Sequence, residues 1–346
     1  MNGVQVRRLA HKWSQAELAE RAGISRTAIS AIEGEKLTPS VSSAMALAAA
    51  LECSVEELFG NGRSPSKPSW AWKPRGDFSR FWMAEVNRRP LAYPVEAGFL
   101  NQIPHDGIFR NGDDFSCQNG EDVAMASGTL TVATCDPAAG ILSSEYASFS
   151  GFRMLVFPRG GGTALQLLKD GLVHVAAVHR STKDHPNRNV DIVKEKLGRD
   201  YCMVRAAQWE SGVAVSASVA VHSANALLRR RWAYREPGSA ARECLDEIFG
   251  GHAFDGRQVD NHFGVAEAVR IGWADAGICV KLCAVDAGLN FLPLRTETLD
   301  FCFSKDLEND PRIMALIGLL RSYKCRRVIN ELPGYDTAEM GEMQRL

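Results

Sequence analysis

The chain has 346 residues, more than one ordinary hydrophobic core fills, so its length predicts two or three domains. Its 40 basic and 41 acidic residues give a formal net charge of −1, which excludes a chain held on nucleic acid or on a membrane by its overall field. The sequence shows neither a signal-peptide core nor an apolar run of membrane-spanning length, so we expect a cytoplasmic protein without membrane contact.

A series of short helices is predicted at the start of the chain. Ser14 is a good N-cap residue, and Glu17 follows it three residues later, which is the capping-box arrangement. Gly23 is expected to end that helix, because glycine enters a left-handed conformation without steric cost. Ser25 begins the next helix, whose apolar positions recur with helical spacing. Two short helices joined by a glycine-containing turn are the helix-turn-helix arrangement, in which the second helix enters the major groove of DNA.

The segment WSQAELAERAGISRTAISAIEGEKLTPSVSSAMALAAALECSVEELF resembles the phage-repressor (Cro/cI, or XRE) family of DNA-binding domains over nearly its whole length. The resemblance implies that the chain binds double-stranded operator DNA as a homodimer that spans successive major grooves. It also implies that the first residue of the second helix contacts a phosphate and that the recognition helix faces base edges. The DNA contacts expected are Gln15, Ser25, Arg26, Thr27 and Ser30. A forked pair between Arg26 and a guanine would contribute about 1–3 kcal/mol of discrimination.

A linker and a small β-rich module are predicted next. The stretch GNGRSPSKPS is rich in Gly, Ser and Pro, which is typical of a linker, and it ends the first domain near residue 62. The runs RFWMAEV and PLAYPVE are predicted to be two strands joined at Asn87-Arg88-Arg89. The aromatic residues of this module are expected to form its core rather than a platform for a ligand: Trp70, Trp72, Phe81 and Trp82.

From Thr129 onward, predicted strands alternate with helices. TLTVATC, FRMLVFP and LVHVAAVHR are predicted strands, and helices follow the first two. This alternation indicates an α/β domain with a parallel sheet, in which ligands bind beyond the carboxyl ends of the strands. The candidate loops are therefore residues 134–138, 159–163 and 179–182. Three domains are predicted in all, at residues 1–62, 63–127 and 128–346.

A further strand-turn-helix unit, RWAYREPGSAARECLDEIF, indicates a site for an anion or a polar group. Gly238 and Ser239 form the turn at which its helix begins, and Arg242 lies in the first helical turn. Free N–H groups and the positive end of the helix dipole favour negative charge at such a position. Arg159 and Arg235 can add bidentate hydrogen bonds to an anionic group.

The ordered strand and helix units of residues 128–342 resemble the periplasmic-binding-protein-like domains, and most closely the molybdate-binding type that is fused to cytoplasmic helix-turn-helix regulators. The resemblance implies two α/β lobes, joined by crossing strands, that close over a small ligand. The second lobe would extend from about Trp209 to Asp286. Carried over position by position, the resemblance implies ligand contacts from Thr134, Cys135, Asp136, Gly161, Gly162, Thr163, His179, Arg235, Gly238, Ser239, Arg242 and Asp275. The expected architecture is multidomain, with an all-α helix-turn-helix domain, a small β-rich connector and a two-lobed α/β periplasmic-binding-protein-like domain.

Two classes of effector remain open. Oxyanions such as molybdate or tungstate favour hydroxyl and N–H donors, whereas the carboxylates of Asp136 and Asp275 would repel them. A small polar metabolite with an amine or hydroxyl groups fits those carboxylates better. Asp136 is equally well explained as a helix N-cap ahead of Pro137. For His179 and Asp275, a structural role with hydrogen bonds inside the protein is slightly favoured over contact with a ligand.

The remaining features favour a regulator over an enzyme. The nine cysteines are scattered without CxxC pairs, so reduced thiols are expected. Cys279 and Cys283 lie one helical turn apart, but no further Cys or His stands at ligand spacing, so neither a metal nor a resident cofactor is expected. Some phage-repressor DNA-binding domains are followed by a self-cleaving all-β peptidase. The alternation of strands and helices after residue 128 does not fit such an all-β domain. The favoured function is a ligand-responsive transcriptional regulator, and the alternative is a DNA-bound dimeric scaffold whose cleft no longer binds a ligand.

Overall fold

The structure is a computed structural model that describes residues 3–34, 36–59, 68–96, 103–110, 114–117, 125–217, 227–250 and 253–346. It divides into two compact units, residues 1–67 and 68–346. Most of the predicted linker, and parts of the predicted connector, lie outside the described residues. The domain boundaries at residues 62 and 127 remain predictions. No helix in the described ranges is long and apolar enough to cross a bilayer.

The first unit is a small helical bundle. Leu18, Ile29 and Leu47 are fully buried at its centre. The capping box predicted for the second helix is confirmed, because the Ser14 side chain accepts from the Glu17 N–H and the Glu17 carboxylate accepts from the Ser14 N–H. The described helices are α1 (Gly3–Ala10), α2 (Gln15–Ala22), α3 (Arg26–Glu33), α4 (Val41–Ala50) and α5 (Val55–Phe59).

The turn between α2 and α3 is set by one glycine. Gly23 has a φ of 64°, in the left-handed region, and its N–H bonds to carbonyls of the last turn of α2. Ser25 then caps α3, accepting a hydrogen bond from the Ala28 N–H at 3.1 Å. These local signals confirm the predicted helix-turn-helix arrangement.

The second unit begins with a five-stranded sheet in the order β1-β3-β2-β4-β5. The predicted hairpin is present, and Asn87 and Arg88 at its turn both have positive φ, 50° and 61°, which matches the right-handed twist of the two strands. Phe81 and Trp82 are buried, as the core interpretation expects. The strands are β1 (Ser69–Trp70), β2 (Phe78–Val86), β3 (Arg89–Pro94), β4 (Gly107–Arg110) and β5 (Asp114–Cys117).

The rest of the second unit is built on a ten-stranded mixed sheet. Its main path runs β11-β10-β12-β9-β13-β8-β6-β7, with β14 and β15 both pairing with β9. Its strands are β6 (Thr129–Thr134), β7 (Arg153–Pro158), β8 (Val175–Thr182), β9 (Tyr201–Val215), β10 (Trp232–Tyr234), β11 (Gly256–Gln258), β12 (Ala276–Val280), β13 (Asn290–Ser304), β14 (Tyr335–Asp336) and β15 (Met343–Arg345).

Two lobes flank the long antiparallel pair β9 and β13. The first lobe holds the parallel strands β6, β7 and β8, and the second holds the parallel strands β10, β11 and β12. First-lobe helices are α6 (Ala139–Ser150), α7 (Gly161–Lys169), α8 (Arg188–Leu197), α12 (Pro311–Arg321) and α13 (Tyr323–Asn330). Second-lobe helices are α9 (Ala240–Phe249), α10 (His262–Arg270) and α11 (Lys281–Asp286). The two-lobed α/β architecture predicted from the sequence is confirmed.

The β-rich sheet packs on the first lobe. The Trp72 ring contacts the rings of Tyr93 and Phe157 edge-on, at centroid distances of 5.2 and 4.9 Å. Arg153 on β7 forms a buried ion pair with Asp106, at 2.5 Å between Nη1 and Oδ1. The sheet and the first lobe thus share one core, which explains why they form one compact unit.

Candidate functional site

The two faces of α3 differ in polarity and burial. Arg26, Thr27 and Ser30 are exposed, while Ile29 and Ile32 on the opposite face are buried in the bundle. This division of polar and apolar faces is what a helix needs in order to enter a groove while remaining packed on its domain.

The other two residues expected to contact DNA have internal roles. Ser25 uses its hydroxyl as the cap of α3. Gln15 donates from Nε2 to Oε2 of Glu33 at 2.8 Å. Glu33 also accepts two hydrogen bonds from the buried Arg8, at 2.7 and 3.0 Å, so one carboxylate ties α1, α2 and α3 together. A phosphate contact from Gln15 stays a prediction, since part of its amide is already engaged.

The second candidate site is the cleft between the two lobes. The parallel strands of each lobe end at the cleft, so loops after β6, β7 and β8 face loops after β10 and β11. The lobes touch directly, because Arg180 of the first lobe donates to the Glu243 carboxylate and to the Gly238 carbonyl of the second. The lobes therefore lie in a closed arrangement.

A cysteine, a histidine and a glutamate form a buried chain at the centre of the cleft. Cys135, just after β6, has its Sγ 3.0 Å from Nε2 of His179 on β8. The other ring nitrogen of His179 donates to Oε2 of Glu297 on β13 at 2.8 Å. Glu297 also accepts from Trp209 Nε1 at 3.1 Å and from Arg295 Nε at 2.8 Å. Glu297 is thereby held in one position and fixes the His179 ring.

His262 completes this group from the second lobe. It is the first residue of α10, and 3% of its surface is exposed. Neither of its ring nitrogens has a hydrogen-bond partner in the described part of the chain. One ligand atom each from Cys135, His179 and His262 lies within 4.8 Å of the other two. A buried imidazole without partners is costly, so this group is incomplete without a further binding partner.

The two histidines differ in charge. Burial would lower the pKa of His179, but Cys135 and Glu297 raise it to about 10. Burial would likewise raise the pKa of Glu297, but His179 and Arg295 lower it to about 2. His179 and Glu297 therefore form a buried ion pair at neutral pH. Burial and the charge of Arg235 hold the pKa of His262 well below its ordinary value, so His262 is neutral.

The loop after β6 supplies one further carboxylate. Asp136 accepts from the Ala138 N–H at 2.9 Å and from the Tyr335 hydroxyl at 2.6 Å. Burial raises the pKa of Asp136 above its usual value. Thr134 Oγ1 accepts from the Asp136 N–H at 3.1 Å, so its lone pairs shape the loop. Asp136 is not the N-cap of α6, because that helix begins at Ala139 with Ala138 as its N-cap and has no side-chain cap. The contact from the Ala138 N–H is an Asx turn ahead of the helix, and the Tyr335 hydroxyl engages the same oxygen of Asp136.

The donors expected to bind an anion are engaged by the protein itself. Arg235 is 2% exposed and makes two hydrogen bonds to Glu236, at 2.9 and 3.0 Å. Glu236 lies directly against Gly160, the N-cap of α7, across the interlobe boundary. This carboxylate thus occupies the positive end of α7, beside Gly161 and Gly162. The side chain of the remaining predicted residue of this loop, Thr163, is exposed.

The start of α9 is likewise capped from within. The Ser239 hydroxyl donates to the Glu236 carbonyl at 2.8 Å and accepts from the Arg242 N–H at 3.2 Å. The Arg242 guanidinium is paired with Asp246, one turn farther along α9. Gly238 has a φ of 82° and gives its carbonyl to Arg180. The structure therefore joins this turn to the opposite lobe through Arg180.

Two expectations for the cleft are wrong. Asp275 precedes β12 and lies at its amino end, paired with Arg231, whereas the cleft is at the carboxyl ends of these strands. Asp275 follows a helix and precedes a strand, and such a junction lies at the amino end of the strand, on the side away from the cleft. Arg159 turns to the connector, where it pairs with Glu96 and stacks over Trp72.

Sequence reasoning missed His262, Glu297 and Arg180. His262 obeys the strand-end rule, because it follows the short strand β11, but that three-residue strand was not predicted. Glu297 carried a weaker signal, as one acidic residue in a crossing strand. Arg180 adjoins the predicted His179, and only the second lobe reveals its partners.

Two family profiles match the chain. The PBP superfamily domain matches residues 143–321, and a helix-turn-helix domain of the type designated HTH_3 matches residues 5–58. The first match extends from within α6 to the end of α12 and leaves out β6 with Cys135 and Asp136, and the second covers α1 to α5 without their outermost residues.

Similar proteins include two bacterial proteins of uncharacterised function. The protein YvgK of Bacillus subtilis is 27% identical over 197 residues, which are 54% of this chain and 63% of YvgK, so the chain spans less than two thirds of that relative. A protein encoded 5′ of a 2Fe-2S ferredoxin gene in Clostridium pasteurianum is 27% identical over 95 residues, 27% of this chain and 84% of that protein.

The chain is also similar to several solved structures. A phosphate-bound transporter substrate-binding protein from Clostridium perfringens has a TM-score of 0.47 at 10% identity and covers 60% of this chain and 99% of its own. A cysteine-binding protein from Campylobacter jejuni has a TM-score of 0.44 at 13% identity and covers 62% of this chain and 92% of its own.

Proposed function

Because the chain belongs to the periplasmic-binding-protein (PBP) superfamily and also carries an XRE-type helix-turn-helix domain, we propose that it is a transcriptional regulator whose DNA binding responds to a small molecule held between the lobes. The single observation that carries this proposal is the interlobe cleft, in which residues of both lobes meet around a buried imidazole without hydrogen-bond partners. We further propose that the regulator works in the cytoplasm as a homodimer on two half-sites.

The DNA contacts are assigned to the exposed face of α3. Arg26 at the start of that helix has no partner among the hydrogen bonds and ion pairs of the described residues, so its guanidinium is available for a base edge or a phosphate. Thr27 and Ser30 lie on the same exposed face. The pair Arg8–Glu33 supports this face from behind, because it holds α3 against α1.

The mechanism follows from the two-lobe architecture. A molecule that binds both lobes favours the closed state over any open one, and the shift it causes is limited by its difference in affinity for the two states. Coupling to DNA of about 1–3 kcal/mol would change operator affinity roughly 5- to 150-fold. The sequence favours an oxyanion or a small polar metabolite as the effector, but the groups expected to bind an anion, Arg235 and the start of α9, are paired within the protein.

Fluorescence anisotropy of the full chain on operator fragments selected from genomic DNA tests the proposal. Arg26→Ala should weaken specific binding about 5- to 150-fold, consistent with the loss of one forked base contact of about 1–3 kcal/mol, and should leave the melting temperature unchanged. Arg270→Ala is the matched control, since that arginine lies exposed on α10 and pairs only within its helix. Retained specific binding by Arg26→Ala would refute the assignment of α3.

The scaffold alternative makes a different prediction. If the cleft serves only as structure, no small molecule or ion should change either the melting temperature or the DNA affinity of the full chain. One effector that changes both the melting temperature and the DNA affinity of wild type would exclude the scaffold. In Arg26→Ala, the same effector should still change the melting temperature.

A further inference from the structure

We propose that Cys135, His179 and His262 bind one transition-metal ion of the Zn²⁺ class in the interlobe cleft. Only the effect of this ion on DNA binding rests on the proposed function. The three residues lie far apart in the sequence and come together from the loop after β6, from β8 and from the start of α10. One Sγ and two imidazole nitrogens lie within 4.8 Å of one another. Bond lengths of about 2.3 Å to sulfur and 2.0–2.1 Å to nitrogen require separations of roughly 3.3–3.6 Å at tetrahedral angles. Cys135 Sγ and His179 Nε2, which lie 3.0 Å apart, would therefore separate by about half an ångström, while the ligand atoms that are farther apart would approach one another.

The unpartnered ring of His262 is the observation that points to a ligand. A buried imidazole normally has at least one hydrogen bond, and His262 has none at either nitrogen within the described ranges. The ring of His262 is buried, has no hydrogen-bond partner in the described part of the chain and lies beside two other ligand atoms, so it suits a metal ligand better than a structural role.

The surroundings of His179 have the arrangement that metal-binding histidines show. Its Nδ1 donates to Glu297, which is itself fixed by Trp209 and Arg295. A bound ion would replace the Nε2 proton that faces Cys135 Sγ, so metal binding would release a proton from this nitrogen. A carboxylate behind the histidine fixes its tautomer and its orientation and increases its strength as a ligand. Glu297 is buried, so its carboxylate acts on His179 inside the protein and not on groups at the surface.

The chemical class of the ion follows from the donor set. One thiolate and two imidazoles suit Zn²⁺ and the neighbouring transition metals, whereas Ca²⁺ and Mg²⁺ prefer carboxylate and carbonyl oxygens. Three protein ligands leave a fourth position for water or for a small molecule, as in exchangeable rather than structural zinc sites. The anion-binding groups nearby are already engaged, since Arg235 is paired with Glu236, and this also favours a cation over an oxyanion.

The ion would act as a bridge between the lobes. Cys135 and His179 belong to the first lobe and His262 to the second. In an open state the two first-lobe ligands would be separated from the third, so the complete ligand set exists only when the cleft is closed. Metal binding thus favours closure directly.

The site is tested with the metal alone on the full chain, reduced and stripped with a chelator. Wild type should bind one Zn²⁺ per chain in competition with a chromophoric chelator, and Co²⁺ should produce a thiolate-to-cobalt charge-transfer band. Cys135→Ser should remove that band, and both Cys135→Ser and His262→Leu should weaken Zn²⁺ binding at least 100-fold. His185→Gln, an exposed histidine three residues beyond β8, and Cys53→Ala, a thiol in the other unit, should bind like wild type.

A stability measurement guards against loss of folding. His262→Leu removes two buried nitrogens without partners, so we expect the metal-free variant to melt at or above the temperature of metal-free wild type, while the rise that Zn²⁺ causes in wild type disappears. The inference is overturned if wild type binds no stoichiometric Zn²⁺, if the cobalt complex has no thiolate band, or if Cys135→Ser and His262→Leu bind as tightly as wild type. Rapid alkylation of Cys135 that Zn²⁺ does not slow would also overturn it and would indicate a nucleophilic thiol instead.

DNA binding separates this inference from the proposed function. If Zn²⁺ binds through the three residues and operator affinity ignores every effector, the metal site stands and the regulator fails. If a metabolite changes operator affinity while no Zn²⁺ is bound, the regulator stands and the metal site fails.

Discussion

Replacing Arg180 with lysine should weaken closure of the cleft while leaving a positive charge beside it. Arg180 donates across the lobe boundary to the Glu243 carboxylate and to the Gly238 carbonyl. Lysine lacks the planar fork that reaches two acceptors at once. Retaining the charge matters, because alanine would also remove a cation close to His179 and would thereby alter the affinity of the cleft for any ion.

The size of the effect follows from the exposure of the partners. The Glu243 side chain is 50% exposed, so its ion pair contributes at most about 1 kcal/mol, and lysine can keep part of it. The hydrogen bond to the Gly238 carbonyl comes from a charged and mostly buried guanidinium, so its loss costs roughly 1 kcal/mol net. We therefore expect about 1–1.5 kcal/mol, or roughly a 5- to 12-fold smaller closing constant.

Two measurements on the metal-free and zinc-treated full chain check this prediction. Small-angle scattering should show a larger radius of gyration for metal-free Arg180→Lys, and chelator competition should show Zn²⁺ affinity reduced by the same factor. Arg270→Lys is the matched control, because that arginine pairs with Glu267 within one helix of one lobe. An Arg180→Lys protein that scatters and binds like the control would refute the idea that this residue maintains closure.

Two further substitutions test the fold around each site. Glu33→Gln should destabilise the first unit by about 2–4 kcal/mol in denaturant unfolding, because it leaves the buried Arg8 without its charge partner. Burial would raise the pKa of Glu33, but Arg8 and Gln15 lower it below its ordinary value. Wild-type stability should therefore fall as the pH drops through that lowered pKa, and the variant should lack this dependence. Gly212→Ala should destabilise the second unit by about 2–3 kcal/mol, since a Cβ there would overlap the Leu292 carbonyl oxygen of the neighbouring crossing strand, and a melting temperature equal to that of wild type would contradict this reasoning.

The first unit could be predicted closely because its signals are local. Ser14 and Glu17 cap a helix within four residues, and Gly23 ends it at a conformation that other residues avoid. The hairpin at Asn87-Arg88 was predicted for the same reason, since its two strands are adjacent in the sequence. The internal role of Gln15 could not be predicted, because its partner Glu33 lies 18 residues away on another helix.

The cleft could be predicted only in part. Cys135 and His179 were found because Cys135 follows one recognisable parallel strand of the first lobe and His179 lies in the second half of another, and the rule that ligands bind at strand ends then brings them together. Glu297 lies 118 residues from His179 and reaches it only because β13 crosses back beside β8. Asp275 was misplaced because the rule was applied to the wrong end of a strand.

The position of His262 links the free energy of closing the two lobes to binding in the cleft. A buried ring without hydrogen bonds destabilises the closed state, so closure costs free energy until something binds the ring. In the proposed regulator, that cost would favour an open state in the absence of effector, and an ion bound by Cys135, His179 and His262 together would remove it. The difference in affinity between the states, on which any effect on DNA depends, then arises from His262 more than from the two first-lobe ligands. Replacing Cys135 would therefore reduce affinity for the ion in both states, whereas replacing His262 would leave weak binding to the first lobe and abolish its coupling to closure.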